Sequence, residues 1–140
     1  ATGKRSLAEH FVSNLGAGQS MMGFTDVNFC PMNILDLSIL LVEAAELQLK
    51  GLYHMVGAEP MSKYQFGQRI AEKFGFDSSL IQPISVNESG LQAARSPNLT
   101  LSTEKLKQTL RHELPSFEIG LQKFYDQYRR GYPQFIQSLI

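Results

Sequence analysis

Leu7, Phe11, Val12 and Leu15 recur at spacings of about three and four, and Gly16 with Gly18 follow them, so the pattern predicts a first helix over Ser6–Leu15. The stretch from Gln19 to Asn33 has no helical period. Its Phe24, Val27, Phe29 and Pro31 alternate with polar residues and predict a strand–loop–strand passage, with Pro31 in a loop or at an edge. Asp36 stands ahead of Leu37, Leu40, Leu41, Ala44, Ala45 and Leu47, which predicts a second helix capped by that carboxylate and closed by Gly51. Leu52–Val56, closed by Gly57, is a short mixed apolar run and predicts a mostly buried strand. Ser62 and Gln65 have capping-box spacing. The stripe Tyr64, Phe66, Ile70, Ala71 and Phe74 then runs to Gly75, giving a third helix over Lys63–Phe74. Pro83–Val86 is predicted to be extended, and Asn87–Pro97 a loop. Ser102 opens a short helix lined by Leu106 and Leu110. Ser116 opens a last one carrying Phe117, Leu121, Phe124, Tyr125 and Tyr128, ending near Gly131–Pro133 ahead of an apolar tail, Phe135–Ile140. The fold class expected is α/β with helices dominant and strands short.

Composition narrows the function classes. With 140 residues and 43% hydrophobic side chains the chain suits one compact core. No repeat or Gly/Pro/Ser-rich linker marks a boundary within it. Basic and acidic residues are 13 each, so no charge excess is available to hold a nucleic-acid backbone or an anionic membrane across a wide face. The longest apolar stretch, Ile39–Val42, is far shorter than a membrane span. Cys30 is the single cysteine, which excludes an internal disulfide and suits a reducing, cytoplasmic compartment. The chain opens on Ala1-Thr2-Gly3-Lys4-Arg5, without a Met and without a leading strand, and is expected to be a fragment.

A dinucleotide site needs a glycine loop between a strand and a helix, so that helix amides face the pyrophosphate. Gly16-Ala17-Gly18 has Met21 where the third glycine belongs and follows a helix, which reads as a helix stop. His10, His54 and His112 are isolated, and none lies one helical turn from another, so no metal site is expected. His54 reads as a buried, hydrogen-bonded imidazole and His112 as a solvated one. Cys30 has no nearby His in sequence and reads as a packed thiol. What remains is the polar loop Ala93-Ala94-Arg95-Ser96-Pro97-Asn98-Leu99, which sets a guanidinium and a carboxamide beside a rigid proline. Arg95 suits a phosphate, since its planar donors pair with two oxygens at once; an exposed Arg in a solvated loop fits the composition equally well.

Taken in order, Phe24-Thr25-Asp26 to Pro31, Asp36-Leu37-Ser38, Gly51-Leu52-Tyr53-His54-Met55-Val56-Gly57, Ser62-Lys63-Tyr64-Gln65-Phe66, Ala94-Arg95-Ser96-Pro97-Asn98-Leu99 and Ser102-Thr103-Glu104-Lys105-Leu106 resemble the extended short-chain dehydrogenase/reductases. Within that family they are most similar to the C-terminal, substrate-binding half of dTDP-4-dehydrorhamnose reductases and related sugar-nucleotide reductases, and nearly all residues from Lys4 to Tyr125 fall inside the match. The resemblance implies that a Rossmann half binding NADPH or NADH, with a Tyr-x-x-x-Lys pair, precedes Ala1 and is missing here. Four residues after Tyr53, Tyr64 and Tyr125 stand Gly57, Gln68 and Arg129, so no catalytic, cofactor-binding or metal-binding residue is expected in this chain. It also implies a partner, a nucleotide-diphosphate sugar: Arg95 and Asn98 would meet the diphosphate side, while the stretch from Phe24 to Asn33, with Asn28, would line the nucleotide or sugar side. Phe24 would stack or simply pack. Lys4 and Arg5 would reach the substrate or form a solvated N-terminal pair. Two departures stand out: Val27-Asn28-Phe29-Cys30 where many relatives carry an Arg, and Ser96 between Arg95 and Pro97.

The expected function is the substrate-binding portion of an NAD(P)-dependent nucleotide-sugar reductase, reducing a 4-keto sugar by hydride transfer in the full-length protein. The alternatives are a non-catalytic regulatory or protein-interaction module of the same fold, and a nucleotide-sugar epimerase. Helix one and the strands are expected to leave apolar surface uncovered, so that the isolated chain dimerises, swaps segments or aggregates.

Overall fold

A computed structural model describes residues 6–90 and 96–138. Ser6 accepts from the Glu9 amide while the Glu9 carboxylate accepts from the Ser6 amide, and this reciprocal box starts α1 (Leu7–Gly16). Further along, β1 (Met21–Phe24) and β2 (Asn28–Phe29) precede α2 (Ile34–Glu46). β3 (Met61–Ser62) leads into α3 (Lys63–Phe74), where Ser62 and Gln65 form a second box and Gly75 closes the helix at a φ of 71°. β4 (Ile81–Ile84), β5 (Asn98–Leu99), α4 (Glu104–Leu110), α5 (Phe117–Arg129) and α6 (Tyr132–Gln137) complete the order. The architecture is α/β and helix-rich, and among the described residues no helix is long and apolar enough to cross a membrane.

The chain divides into two compact units, Ala1–Phe29 with Met61–Leu99, and Cys30–Pro60 with Thr100–Ile140. In the first, α1 lies against α3. A side chain at Gly67 would place its Cβ 2.4 Å from the Phe11 ring, so glycine is what permits the approach. Phe66 meets Phe11 edge-on at 6.1 Å and Phe29 at 5.3 Å, with Val12, Leu15, Ile70, Ala71 and Ile81 also buried. β1 and β4 pair in parallel, Phe24 opposite Ile84. β2 lies between β3, antiparallel, and β5, parallel. The strand expected over Pro83–Val86 sits two residues earlier because Asp26 captures its end: the carboxylate accepts from the Ser85 hydroxyl at 2.5 Å and the Val86 amide at 2.9 Å, bending the chain into a 3-10 turn over Val86–Glu88. Pro83 faces no conflict, since among the described residues β4 pairs only with β1.

In the second unit Leu40, Leu106, Leu110 and Leu114 form the core, with Met32, Leu49, Tyr53 and Met55 packed on it. Asn33, not Asp36, caps α2: its side-chain oxygen accepts from the Leu35 amide at 2.9 Å. Asp36 is instead buried in the first turn and paired with Lys123 of α5. The expected strand over Leu52–Val56 does not form, because no strand of the described residues lies beside it to share a ladder. Single bonds hold it instead, from Lys105 Nζ to the Leu52 carbonyl at 2.8 Å and from the Gly57 amide to the Cys30 carbonyl at 3.2 Å. Two histidine expectations also change. His54 is exposed, with its Nδ1 3.2 Å from the Ser102 carbonyl, and His112 is not merely solvated but 2.8 Å from the Glu43 carboxylate. Pro133, expected to end the last helix, falls in the first turn of α6, where a missing amide costs no helical bond.

Candidate substrate-binding site

The three-stranded sheet brings two of the expected site residues together. Asn28 of β2 stands in register with Asn98 of β5, and the Asn28 amide donates to the Pro97 carbonyl at 2.9 Å. Ser62, the cap of α3, is the register partner of Asn28 on the other side, so Ser62, Asn28 and Asn98 form one row across the sheet. Ser62 is buried, while Asn28 and Asn98 are exposed; a carboxamide side chain can both donate and accept hydrogen bonds. Proline ahead of Asn98 stiffens the approach to the row.

Phe24, at the end of β1, is half-buried, and the Lys63 ammonium lies 5.7 Å from its ring centroid. Both border a cavity of about 470 Å³ in the first unit, together with Leu7, His10, Met22 and Gln82. The lining is mostly apolar, with Lys63 and His10 as its ionisable groups. His10 Nδ1 is 3.1 Å from the Asn14 side-chain nitrogen. Lys63 is not singled out by the sequence, and His10 is weighed there only as a metal ligand. Lys63 had one available signal, its place directly after the Ser62 cap, and His10 had none beyond lying one residue from Phe11.

Asp26 rigidifies this region. The Ser85 hydroxyl, and after it the Val86 amide, hold its carboxyl below the ordinary carboxylate value. Arg95 and Lys4 lie outside the described residues. The tyrosines take other partners: the Tyr64 hydroxyl accepts from Gln68 at 3.0 Å, the Tyr125 hydroxyl from Arg129 at 3.3 Å, and Lys105 sits 4.2 Å over the Tyr53 ring. Among the described residues no group of three His, Cys, Asp or Glu side chains is placed to hold a metal ion. A dinucleotide cradle does not fit these residues either: β3 runs straight into α3 with no glycine loop between them, and Gly16 lies in the last turn of α1. What the arrangement offers is recognition: an apolar cavity, an aromatic ring with a cation beside it, and a row of carboxamides.

This fold is that of the substrate-binding part of an extended short-chain dehydrogenase/reductase. More narrowly, the chain belongs to the RmlD substrate binding domain family, whose model matches residues 2–130. The dTDP-4-dehydrorhamnose reductase of Bacillus anthracis str. Ames, solved in complex with NADP, is similar with a TM-score of 0.81 and 20% identity, over 89% of this chain and 44% of that one. The orthologue from Clostridium acetobutylicum has a TM-score of 0.82 at 16% identity, over 91% of this chain and 45% of its own. A curated relative, the probable low-salt glycan biosynthesis reductase Agl14 of Haloferax volcanii, is 25% identical over 109 residues, 78% of this chain and 36% of its own length. The chain thus spans less than half the length of each of these proteins.

Proposed function

We propose that this chain is the substrate-binding portion of an NAD(P)-dependent nucleotide-sugar reductase, similar to the dTDP-4-dehydrorhamnose reductases, acting in the cytoplasm on a 4-keto sugar carried by a nucleoside diphosphate. The register of Asn28 with Asn98 carries the reading, because it sets two exposed carboxamides from distant parts of the chain side by side, Asn98 standing three residues after Arg95 in sequence. In this reading Arg95 holds the diphosphate, Asn98 and Asn28 take hydroxyl or base edges, Phe24 offers a ring for stacking, and Lys4 adds a second cation. Membership of the family matched over residues 2–130 supports it. NADPH or NADH is held on a Rossmann domain outside this chain, and that domain supplies the redox chemistry. The residues here contribute by fixing the sugar, a role whose energetic value lies in removing translational and rotational freedom before reaction.

Calorimetric titration of the chain with a dTDP-sugar and with a UDP-sugar tests this. Heat with either, diminished in an Asn98→Ala variant, is the result expected. No heat with either nucleotide sugar overturns the reading in favour of a non-catalytic interaction module.

A further inference from the structure

We propose that His112 and Glu43 form a pH-operated latch, which holds the corner between α4 and α5 onto the end of α2 while the imidazole is protonated and lets that corner go when it is not. Both residues belong to the second unit, so the latch is independent of what the first unit binds. Each ring nitrogen of His112 faces oxygens that only accept. Nε2 lies 2.8 and 3.0 Å from the two Glu43 carboxylate oxygens, and Nδ1 lies 2.9 Å from the Glu113 carbonyl. A neutral imidazole has one N–H and one lone pair, so it satisfies one side while its lone pair meets an oxygen on the other; only the imidazolium donates to both. Glu43 stands in the last turn of α2, where the helix has no basic residue of its own, so His112 supplies from another element the cation that a helix C-terminus favours.

The corner is built to move over a short span. Leu110 and Leu114, on either side of it, are buried in the leucine core, which confines release to Arg111, His112 and Glu113. Arg111 closes α4 with a φ of 61°, left-handed backbone that a residue with a Cβ keeps only where its surroundings hold it. Among the described residues the other non-glycine residue of this kind is Gln48, just past α2, so the latch closes between two strained helix ends. Solvent reaches it, the imidazole side chain being 45% accessible and the carboxylate 29%, so the proton exchanges without unfolding. Among the described residues the charges that bear on the ring are Glu43 of α2 and Glu113 of the corner itself, with Arg111 next to it in the chain. Lys107 of α4 stands behind Glu113, 2.9 Å from its carboxylate and 3.3 Å from that of Glu104, and is engaged in either state of the ring. The Glu113 carbonyl, and after it the Glu43 carboxylate, keep the proton on the ring beyond the ordinary imidazole value of 6.5. Its loss removes the ion pair and one hydrogen bond together, and the strain at Arg111 then favours the open corner.

Nuclear magnetic resonance of the isotope-labelled 140-residue chain across a pH series tests this, with the ring nitrogens of His112 reporting its proton and the Cα and Cβ shifts of Arg111 reporting its backbone. The ring is expected to titrate above 6.5, and the Arg111 shifts to leave their left-handed values with the same midpoint. Protection of the Arg111 amide, which donates to the Lys107 carbonyl at 2.8 Å, is expected to fall about tenfold over that step once corrected for the intrinsic exchange rate, while the Lys107 amide, bonded to the Thr103 carbonyl at 3.0 Å, keeps its own. Glu43→Gln keeps an acceptor but removes the charge, so the ring should then titrate nearer 6.5, and His112→Gln should leave the Arg111 signals independent of pH. A ring that titrates at or below 6.5 overturns the proposal, as does a midpoint unmoved by Glu43→Gln. Arg111 signals that stay put while the ring titrates overturn it too, since they reduce the pair to a surface contact with no moving part. So do Arg111 signals that still follow pH in His112→Gln, or equal loss of protection at Lys107, which would make the event general unfolding.

Discussion

Asp36 of α2 and Lys123 of α5 form an ion pair that is unequal in its exposure: the aspartate side chain is 2% accessible and the lysine 39%. Beside it the Asn33 side chain donates to the Gly120 carbonyl at 3.1 Å, so two polar ties join the same pair of helices. Removing the cation strands a buried carboxylate, whereas removing both charges leaves nothing unpaired. Lys123→Met is expected to lower stability by about 2–3 kcal/mol, the lower part of the range for such pairs because the lysine is partly solvated. Asp36→Leu combined with Lys123→Met is expected to recover most of that loss. Urea denaturation of the single and double variants measures both, and simply additive losses would show that the two side chains act separately.

Two glycines should respond to alanine in opposite ways. A Cβ on Gly57 would stand 1.9 Å from the Pro31 carbonyl oxygen and 2.8 Å from its carbon, both backbone atoms, so the chain itself must move. Gly57→Ala is expected to cost about 3 kcal/mol or more. Gly75 has open space around it but a φ of 71°, so Gly75→Ala pays only for left-handed backbone, about 1 kcal/mol. Thermal melts rank the two. A milder effect at Gly57 than at Gly75 would mean that Pro31 yields easily.

What could be read from the residues was whatever is local. The boxes at Ser6–Glu9 and Ser62–Gln65, the Ser116 cap and the Gly75 stop each depend on residues within one helical turn, and α1, α3 and α5 lie where the pattern placed them. β2, β3 and β5 are two residues long, too short for a period to show, and exist because distant segments meet. Asn33 outcompetes Asp36 as a cap because Lys123, far along the chain, draws the aspartate inward. The Leu52–Val56 pattern is that of a strand, and pattern alone carries no information about whether a neighbour is present. For the site, the family resemblance pointed to Phe24, Asn28 and Asn98, but only the register joins Asn28 to Asn98, and only the fold sets Lys63 against Phe24.

Stability should depend on pH at both ends. His112 has its pKa raised, first by the Glu113 carbonyl and then by the Glu43 carboxylate, so the folded state binds its proton more tightly than the unfolded state. That contribution is complete below the ordinary imidazole value of 6.5 and is lost as pH rises through the higher folded value. Asp26 and Asp77 are shifted the other way, chiefly by the hydroxyls of Ser85 and Ser79, and their contribution is present above 3.8 and lost as pH falls through their lowered values. Urea midpoints should therefore decline as pH rises above 6.5, and His112→Gln should flatten that limb while leaving the acid limb unchanged. A His112→Gln profile that still falls above pH 6.5 would assign the alkaline limb to another group.

Substitutions at the proposed site should separate charge from shape. Arg95→Ala is expected to weaken nucleotide-sugar binding by about 1.5–3 kcal/mol if its guanidinium meets a phosphate, and the wild-type affinity should fall as salt is raised. Asn28→Ala and Asn98→Ala each remove a neutral hydrogen-bonding group and should cost about 1 kcal/mol, with little change in salt dependence. Because the two carboxamides stand in one row, their double variant should lose less than the sum of the single losses if both contact the same ligand group. Calorimetry at two salt concentrations resolves all three effects. An Arg95→Ala variant with wild-type affinity and wild-type salt slope would move the diphosphate away from this loop, and a strictly additive Asn28→Ala/Asn98→Ala pair would mean that the row touches the ligand at two independent points.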